Sequence, residues 1–138
     1  MRKGFTLVEL LIVLAVIAAL MAVATPLALN AVKNAKASQV AQNFRNIKSA
    51  VENMFNTEKP ANPTASITMN ELVNSKYLNA SPANFSVSAK EGAAGTYNVT
   101  IKYSGNDVEL KRVQANGLGD VKQNGNDLEL TFSVQKWW

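Results

Sequence analysis

The sequence predicts an α+β protein in which a long N-terminal α-helix packs on an antiparallel sheet of three or four strands. Three observations support this fold class. Residues 10–24 contain no polar side chain, apolar residues then recur at helical spacing to about residue 55, and beyond residue 84 the apolar period becomes two. A chain of 138 residues forms one domain, or one domain with an appendage.

The apolar run Phe5–Leu29 is long enough to cross a membrane as a helix. Its 25 residues extend roughly 37 Å at the rise of an α-helix, and a hydrocarbon core is about 30 Å thick. Glu9 is the only charged residue in the run, and Arg2 and Lys3 precede it. Because positively charged flanks tend to stay in the cytoplasm, we expect everything after residue 29 to be exported.

The same helix is predicted to continue to about Phe55, with only one apolar side in its second half. Residues 30–56 contain neither Gly nor Pro, and from Val40 the apolar residues recur every three or four positions. The whole helix, from Phe5 to Phe55, spans 51 residues. Pro26 lies inside it and removes one backbone hydrogen bond, so a kink or local unwinding is expected there.

Residues 57–83 are predicted to separate this helix from the sheet. Pro60 and Pro63 lie in a polar stretch, so the helix should end near Thr57. The tetrapeptide 68–71, Thr-Met-Asn-Glu, has the pattern of a capping box. It predicts a short helix that ends at about Leu78.

Alternating apolar residues predict the strands of the sheet, within about residues 85–135. Residues 104–106 are predicted to form a hairpin turn, after which Val108–Val113 runs back as a strand. A loop containing Gly117, Gly119 and Gly125 then leads to the last strand. The alternating positions are Phe85, Val87 and Ala89, then Tyr97, Val99, Ile101 and Tyr103, and finally Leu128, Leu130, Phe132 and Val134.

A short internal echo lies within the predicted sheet. Residues 105–110, Gly-Asn-Asp-Val-Glu-Leu, recur as residues 125–130, Gly-Asn-Asp-Leu-Glu-Leu. Two such short copies do not make a repeat architecture, and we interpret them as the same hairpin chemistry used twice. The apolar stripe between Val40 and Phe55 is the predicted cover of the sheet, because about 79 residues bury little surface alone.

Composition argues against catalysis. The chain has no Cys and no His, so it offers neither a thiol nucleophile nor the usual neutral-pH general base. We therefore expect a protein that is not an enzyme and that needs no cofactor. Residues 60–138 contain seven basic and seven acidic residues, whereas a nucleic-acid-binding head usually has a basic excess. DNA binding is therefore unsupported.

Oxygen-bearing side chains gather near Gly125, but their spacing is not that of a calcium loop. Counted from Asp120, the third position is Lys122 and the twelfth is Thr131, where an EF-hand requires ligands. Turn formation is the favoured interpretation, and no metal site is predicted. The residues concerned are Asp120, Asn124, Asn126, Asp127 and Glu129.

The first nine residues combine a Gly-Phe junction with an acid near the start of the apolar run. A carboxylate in a membrane segment is costly, although the cost is smaller near the end of the span, where it can be tolerated. An acid at this position usually implies a partner. Cleavage between Gly4 and Phe5 would create a cationic amine at Phe5, one helical turn from Glu9. In a packed bundle, the carboxylate of one subunit would then meet the amine of another.

These residues resemble the type III leader of the type IV prepilins and the related pseudopilins. In that family a short basic leader ends in Gly, Phe follows, and Glu comes four positions after the Phe. Here those positions are Gly4, Phe5 and Glu9, and the family's mid-span proline matches Pro26. The resemblance implies cleavage after Gly4, N-methylation at Phe5, and pairing of Glu9 with the Phe5 amine of a neighbour.

The resemblance also implies a division of the chain and a set of partners. Residues 1–4 are the cleaved leader, residues 5–29 the membrane and fibre-core helix, and residues 30–138 the head. The partners are a prepilin peptidase and methyltransferase, an assembly platform with its motor, and further copies in a helical homopolymer. The precursor is a single-pass inner-membrane protein with a cytoplasmic N-terminus, and the assembled filament is extracellular. Adhesion, motility, secretion and DNA uptake remain open as end uses.

Three alternatives remain open. The chain resembles pseudopilins of type II secretion or competence systems as well as pilins. An ordinary signal peptide would use Leu10–Leu20 as its apolar region and Ala22-Val23-Ala24 as a cleavage site before Thr25, and would release a soluble binding protein. A single-span anchored protein that does not assemble is the third.

Several other features have structural interpretations beside functional ones. The basic residues of the helix either contact lipid headgroups or DNA, or form its solvated side or contacts with neighbouring subunits. We favour the second interpretation. These residues are Lys33, Lys36, Arg45 and Lys48.

Many Gram-negative relatives close a C-terminal loop with a disulfide. Without cysteine, residues 114–138 must close by strand pairing and packing, in which Trp137 and Trp138 are candidates. The N-glycosylation pattern is matched at Asn79, Asn84 and Asn98. Three matches are expected by chance in a chain that is rich in Asn.

Overall fold

The computed structural model describes Gly4 and residues 6–138 and confirms the predicted α+β fold. The chain divides into two compact units, one up to Ala35 and one from Lys36 to Trp138. The elements in order are α1 (Leu7–Glu58), α2 (Pro63–Ser66), α3 (Met69–Asn74), β1 (Phe85–Glu91), β2 (Thr96–Tyr103), α4 (Leu110–Gln114), β3 (Lys122–Asn124) and β4 (Asp127–Gln135).

The long helix is confirmed as one element, α1, which is 52 residues long. It ends at Glu58, where Lys59 takes the left-handed conformation with φ of 47° and Pro60 follows. Neither residue continues an α-helix, because Lys59 has left the helical region and the ring of Pro60 restricts the residue before it. The predicted end at Thr57 differs by one residue.

The C-terminal half of α1 covers one face of the sheet, as the apolar stripe predicts. Within the unit from Lys36 onward, the Phe44 and Phe85 rings meet edge to face at 5.1 Å between centroids. The Phe55 and Tyr97 rings are 6.1 Å apart. The buried α1 residues are Ala37, Val40, Ala41, Phe44, Ile47, Ala50, Val51, Met54 and Phe55. Their burial with the inner sheet face is the hydrophobic core of the unit.

Two short helices lie between α1 and the sheet. Helix α2 was not predicted, and it begins with Pro63, whose fixed φ suits the first turn of a helix. Helix α3 begins as predicted, with the Thr68 side chain accepting a hydrogen bond from the Glu71 amide at 3.2 Å. It ends at Asn74 rather than near Leu78, because Lys76 takes the left-handed conformation with φ of 64°.

The sheet has four antiparallel strands in the order β1-β2-β4-β3. Phe85 pairs with Tyr103 across β1 and β2, and Tyr103 pairs with Leu128 across β2 and β4. These three residues are buried, together with Val87, Val99, Ile101, Leu130 and Val134. The predicted alternation is therefore confirmed for all three long strands.

The strand predicted at Val108–Val113 is wrong. Residues Leu110–Gln114 form helix α4, and only Val113 of that helix is buried. The reason lies in β2, whose two edges are already paired with β1 and β4. Because no edge of β2 is free, this segment cannot pair with it as a strand. It forms a helix instead, and Leu110 and Val113 have the three-residue spacing of a helix face.

The internal echo adopts two different structures, so its interpretation as one hairpin chemistry holds for only one copy. In the second copy, Gly125 and Asn126 connect β3 to β4, with Asn124 paired to Asp127. Gly125 has φ of 64°, which a two-residue hairpin turn requires. The first copy, residues 105–110, leads into α4. The two copies therefore differ because strand partners are available to the second copy, in β3 and β4, and not to the first.

The C-terminal residues pack against the end of α1. The Trp138 ring lies 4.8 Å from the Phe55 ring, and the Trp137 Nε1–H donates to Asn56 Oδ1 at 3.0 Å. Lys59 Nζ lies 4.6 Å from the centroid of the Trp137 ring. Strand pairing and this aromatic packing together close the C-terminal segment without cysteine.

Candidate functional site

The start of α1 is a capping box formed by Thr6 and Glu9. The Glu9 backbone N–H donates to Thr6 Oγ1 at 3.1 Å, and the Thr6 backbone N–H donates to Glu9 Oε2 at 3.4 Å. Each residue thereby satisfies a backbone donor that the first turn of a helix otherwise leaves without a partner. The helix accordingly begins at Leu7.

Sequence reasoning missed this capping box, although its signal was present. Residues 6–9, Thr-Leu-Val-Glu, have the same spacing as residues 68–71, which were correctly predicted to cap α3. Glu9 therefore has a structural role in its own chain, in addition to the pairing that the resemblance implies. Its negative charge also lies in the first turn of α1, where the helix dipole favours an acid.

The structure describes only part of the predicted processing site. Gly4 is exposed and has φ of 96°, and a Cβ at this position would meet no atom within 4 Å. Its conformation is one that residues with a side chain rarely adopt. Phe5, Arg2 and Lys3 lie outside the described residues, so cleavage, N-methylation and the Phe5–Glu9 pair remain predictions.

The N-terminal half of α1 presents apolar side chains to its surroundings on every side. This helix is long and apolar enough to cross a membrane, and its most apolar window is wholly exposed. Length and composition alone do not separate a membrane span from a signal sequence near the N-terminus. Its large exposed side chains include Leu7, Leu10, Leu11, Ile12, Leu14, Ile17, Leu20, Met21 and Leu27.

Pro26 lies inside α1, and the helix is assigned without a break from Leu7 to Glu58. Proline has no N–H to donate to the carbonyl four residues earlier, that of Ala22. The missing bond is the physical basis for the predicted kink. The kink itself stays a prediction.

The N-terminal segment has a match among known sequence families. The prokaryotic N-terminal methylation motif matches residues 1–25. The chain has the leader signature of the type IV pilins and pseudopilins. This motif and the long apolar helix fit a type IV pilin or pseudopilin, without determining the specific system. No solved structure matches the chain.

The pilin-type leader implies processing by a prepilin peptidase and assembly into a pilus or a secretion system. With the apolar helix, it suggests a membrane-anchored precursor and a later extracellular filament. Both statements follow from the matched segment and its geometry. They are independent of the details of the head.

The oxygen-rich residues near Gly125 serve the hairpin. Lys102 Nζ lies 3.9 Å from Asp127 Oδ2 and 3.6 Å from Glu129 Oε1, so one lysine is shared by both carboxylates. Asn124 donates to Glu129 at 3.5 Å. Among the residues that the structure describes, no group of three or more acidic, His or Cys side chains is placed to hold a metal ion.

The basic residues of α1 beyond Ala35 contact the head unit individually. Lys36 Nζ lies 3.7 Å from Asp107 Oδ2. Lys48 Nζ lies 5.5 Å from the Phe132 ring centroid, and the Arg45 guanidinium lies close to Gly117. Exposed contacts of this kind are worth little individually. Lys36 and Lys48 are half-buried, so these two side chains lie partly against the head and are not fully solvated.

The loop after β2 is held by the buried Tyr103. Its hydroxyl donates to Asp107, and Asp107 in turn pairs with Lys36. Burial of the phenol, followed by its hydrogen bond to Asp107, raises the pKa of Tyr103 well above its ordinary value of about 10. A Cβ on Gly105 would lie 2.2 Å from the Tyr103 hydroxyl oxygen, so this loop position requires glycine.

Proposed function

We propose that the chain is the precursor of a structural subunit of a type IV pilus. It is inserted in the inner membrane, cleaved after Gly4, N-methylated at Phe5, and polymerised into a helical surface filament. The observation that supports this most directly is the N-terminal methylation motif over residues 1–25, at the start of a helix whose apolar side chains are exposed on every side.

The exposed apolar surface of α1 needs a non-aqueous environment both before and after assembly. Burial of apolar area is favourable by roughly 25 cal/mol per Å². A bilayer provides this environment to the precursor, and the apolar helices of neighbouring copies provide it in a fibre core. Arg2 and Lys3 place the N-terminus of the precursor on the cytoplasmic side.

Glu9 has two tasks in this proposal. Within its own chain it accepts the Thr6 amide and caps α1. In the fibre, it neutralises the Phe5 amine of a neighbouring subunit. A carboxylate accepts several hydrogen bonds, so Oε1 can meet the neighbour while Oε2 keeps the cap. An unpaired charge in the apolar core would oppose assembly.

The partners are those of a filament system. The membrane peptidase that removes the leader also methylates the new terminus, and an assembly platform with its motor extracts subunits from the membrane. The protein itself is proposed to have no catalytic activity, since polymerisation is its function. No cofactor is part of this proposal.

The second candidate is a pseudopilin of a type II secretion or competence system. The same motif supports it, because the leader signature is common to both classes. A soluble protein released before Thr25 is less favoured, because that cleavage would cut α1 in the middle of a continuous helix.

Replacement of Glu9 tests the assembly role. We expect Glu9→Ala to leave leader removal largely intact but to reduce surface fibres at least about tenfold, because the Phe5 amine then lacks its partner. Glutamine still accepts hydrogen bonds but carries no charge. Because the proposed role requires the charge, Glu9→Gln should reduce surface fibres as Glu9→Ala does. The measurements are immunoblots of precursor and mature chain, and sheared fibre yield from whole cells.

Glu58→Gln is a matched control, since it removes a carboxylate at the other end of α1 and should leave fibre yield unchanged. Normal fibre yield from the Glu9→Ala strain would contradict the proposed assembly role of this carboxylate. Retained, unprocessed precursor in that strain would instead assign Glu9 to leader recognition.

A further inference from the structure

A cleft of about 640 Å³ lies in the head unit between α1 and the segment Tyr77–Ala83. It is separate from the N-terminal segment on which the proposed function depends. Cavities of this size hold small ligands or short oligomers. One row of polar side chains along α1 forms a wall of the cleft: Gln39, Asn43, Asn46, Ser49 and Asn53.

The described residues that line the cleft carry almost no charge. Among the described residues that line it, Lys36 is the single ionic side chain. Its ammonium is already beside Asp107, at 3.7 Å from Oδ2. In the described part of the chain, no carboxylate lines the cleft to receive a cation, and no basic cluster lines it to receive phosphate. The wall therefore favours a neutral ligand.

The amide groups of the wall have unused hydrogen-bonding capacity. The Gln39, Asn43 and Asn53 side chains make no hydrogen bond to another residue in the described part of the chain. Asn46 accepts from Gln42 Nε2 at 3.0 Å, which leaves its own NH₂ group for a ligand. Each amide offers both donors and an acceptor, so the complementary ligand also has donors and acceptors, as hydroxyl groups do.

The loop side of the cleft carries apolar side chains beside the polar Asn79 and Ser81. Tyr77, Leu78 and Pro82 line the loop side, with Phe85 and Tyr103 nearby. Tyr77 is fixed in place because its hydroxyl donates to Glu58 Oε1 at 3.0 Å. A pyranose ring combines an apolar C–H face with an edge of hydroxyl groups, and both are matched here.

The spacing of the polar row favours a sugar chain over a peptide. Successive positions three or four residues apart on a helix rise about 4.5–6 Å, close to the length of one sugar ring. An extended peptide presents groups on one side only every ~6.6 Å. The row from Gln39 to Asn53 extends roughly 21 Å along the helix axis, which is about four sugar units.

We propose that this cleft binds a neutral, extended oligosaccharide, with the α1 amides hydrogen-bonding its hydroxyl groups and the Tyr77 side packing on its rings. This binding activity goes beyond the proposed filament function and does not depend on it. The ligand is a glycan without carboxylate, phosphate or sulfate groups.

The test is calorimetric titration of the full-length chain in micelles of a detergent without a sugar headgroup. The probes are maltotetraose, cellotetraose and tetra-N-acetylchitotetraose, with tetragalacturonate as the anionic comparison. The cleft variant is Asn46→Ala/Asn53→Ala. Its matched control is Asn70→Ala/Asn74→Ala, which removes two asparagines from α3, outside the cleft. Asn→Ala changes within helices favour helix formation, so both variants should fold.

We expect saturable binding of at least one neutral tetrasaccharide. Binding should be about tenfold weaker in the cleft variant and unchanged in the control variant. Equal binding by the cleft variant, binding of tetragalacturonate alone, or no saturable binding of any neutral probe would overturn the proposal. Self-association that the cleft variant abolishes, without any sugar binding, would assign the cleft to a second copy and also overturn it.

Discussion

At the scale of single residues, Glu9 and Thr6 form the most informative pair in the chain. Their two hydrogen bonds define where α1 begins. The acid that the resemblance assigns to assembly therefore also stabilises its own helix. Tertiary context plays no part in a capping box, so the sequence alone was sufficient to predict it.

Thr6→Val tests the cap without changing the shape of the side chain. Loss of the Oγ1 acceptor should destabilise the first turn of α1 by about 1 kcal/mol, and the Glu9 amide should exchange with solvent several-fold faster. The measurement is hydrogen exchange of the full-length chain in micelles. Thr6→Ser keeps the acceptor and should retain wild-type protection. Unchanged exchange of the Glu9 amide in Thr6→Val would contradict the capping role.

At the scale of elements, the sequence predicts those that depend on local pattern and misses those that depend on pairing. The alternation of Phe85 and Val87, and the helical stripe through Phe44, led to the correct elements. Residues 108–113 follow a predicted turn and were expected to run back as a strand, yet residues 110–114 form α4 because β2 has no edge left to pair. Helix α2 is one turn long, too short for any periodic signal.

The loop between β2 and α4 should make the head sensitive to alkaline pH through Tyr103. The folded-state pKa of this phenol is raised by burial and by Asp107, whereas the unfolded chain ionises near its ordinary value of about 10. The stability that the buried neutral phenol contributes is therefore present below about pH 10 and is lost as the pH rises above it.

The measurement is urea unfolding of the full-length chain in micelles at pH 9 and pH 11, followed by tryptophan fluorescence. Wild type should lose more of its unfolding free energy over this interval than Tyr103→Phe, which has no phenol to ionise at position 103 and keeps the other two tyrosines. Equal losses in the two proteins would show that Tyr103 does not titrate differently in the folded and unfolded states.

At the scale of the whole molecule, the two units differ in surface character. The described residues up to Ala35 expose apolar side chains, whereas the unit from Lys36 onward buries its own around one core. The segregation of apolar residues along the sequence predicted both properties. The chemistry of the cleft was not predicted, because it depends on the packing of residues 77–83 beside α1.

Gly4 tests the boundary between leader and mature chain. We expect Gly4→Leu to block leader removal and to trap the precursor in the membrane, because the leader that this segment resembles ends in Gly and because φ of 96° disfavours a side chain. Immunoblots of membrane fractions measure the ratio of precursor to mature chain. Full-rate processing of Gly4→Leu would count against the assigned cleavage site.

The central claim is that the mature chain begins at a methylated Phe5 and reaches the cell surface as a fibre. Its most direct test is intact mass with N-terminal sequencing of the protein in sheared surface material and in the remaining envelope. We predict N-methylated Phe5 in the sheared fraction. The same terminus found only in the envelope would favour a pseudopilin, and a soluble chain that begins at Thr25 would contradict the claim.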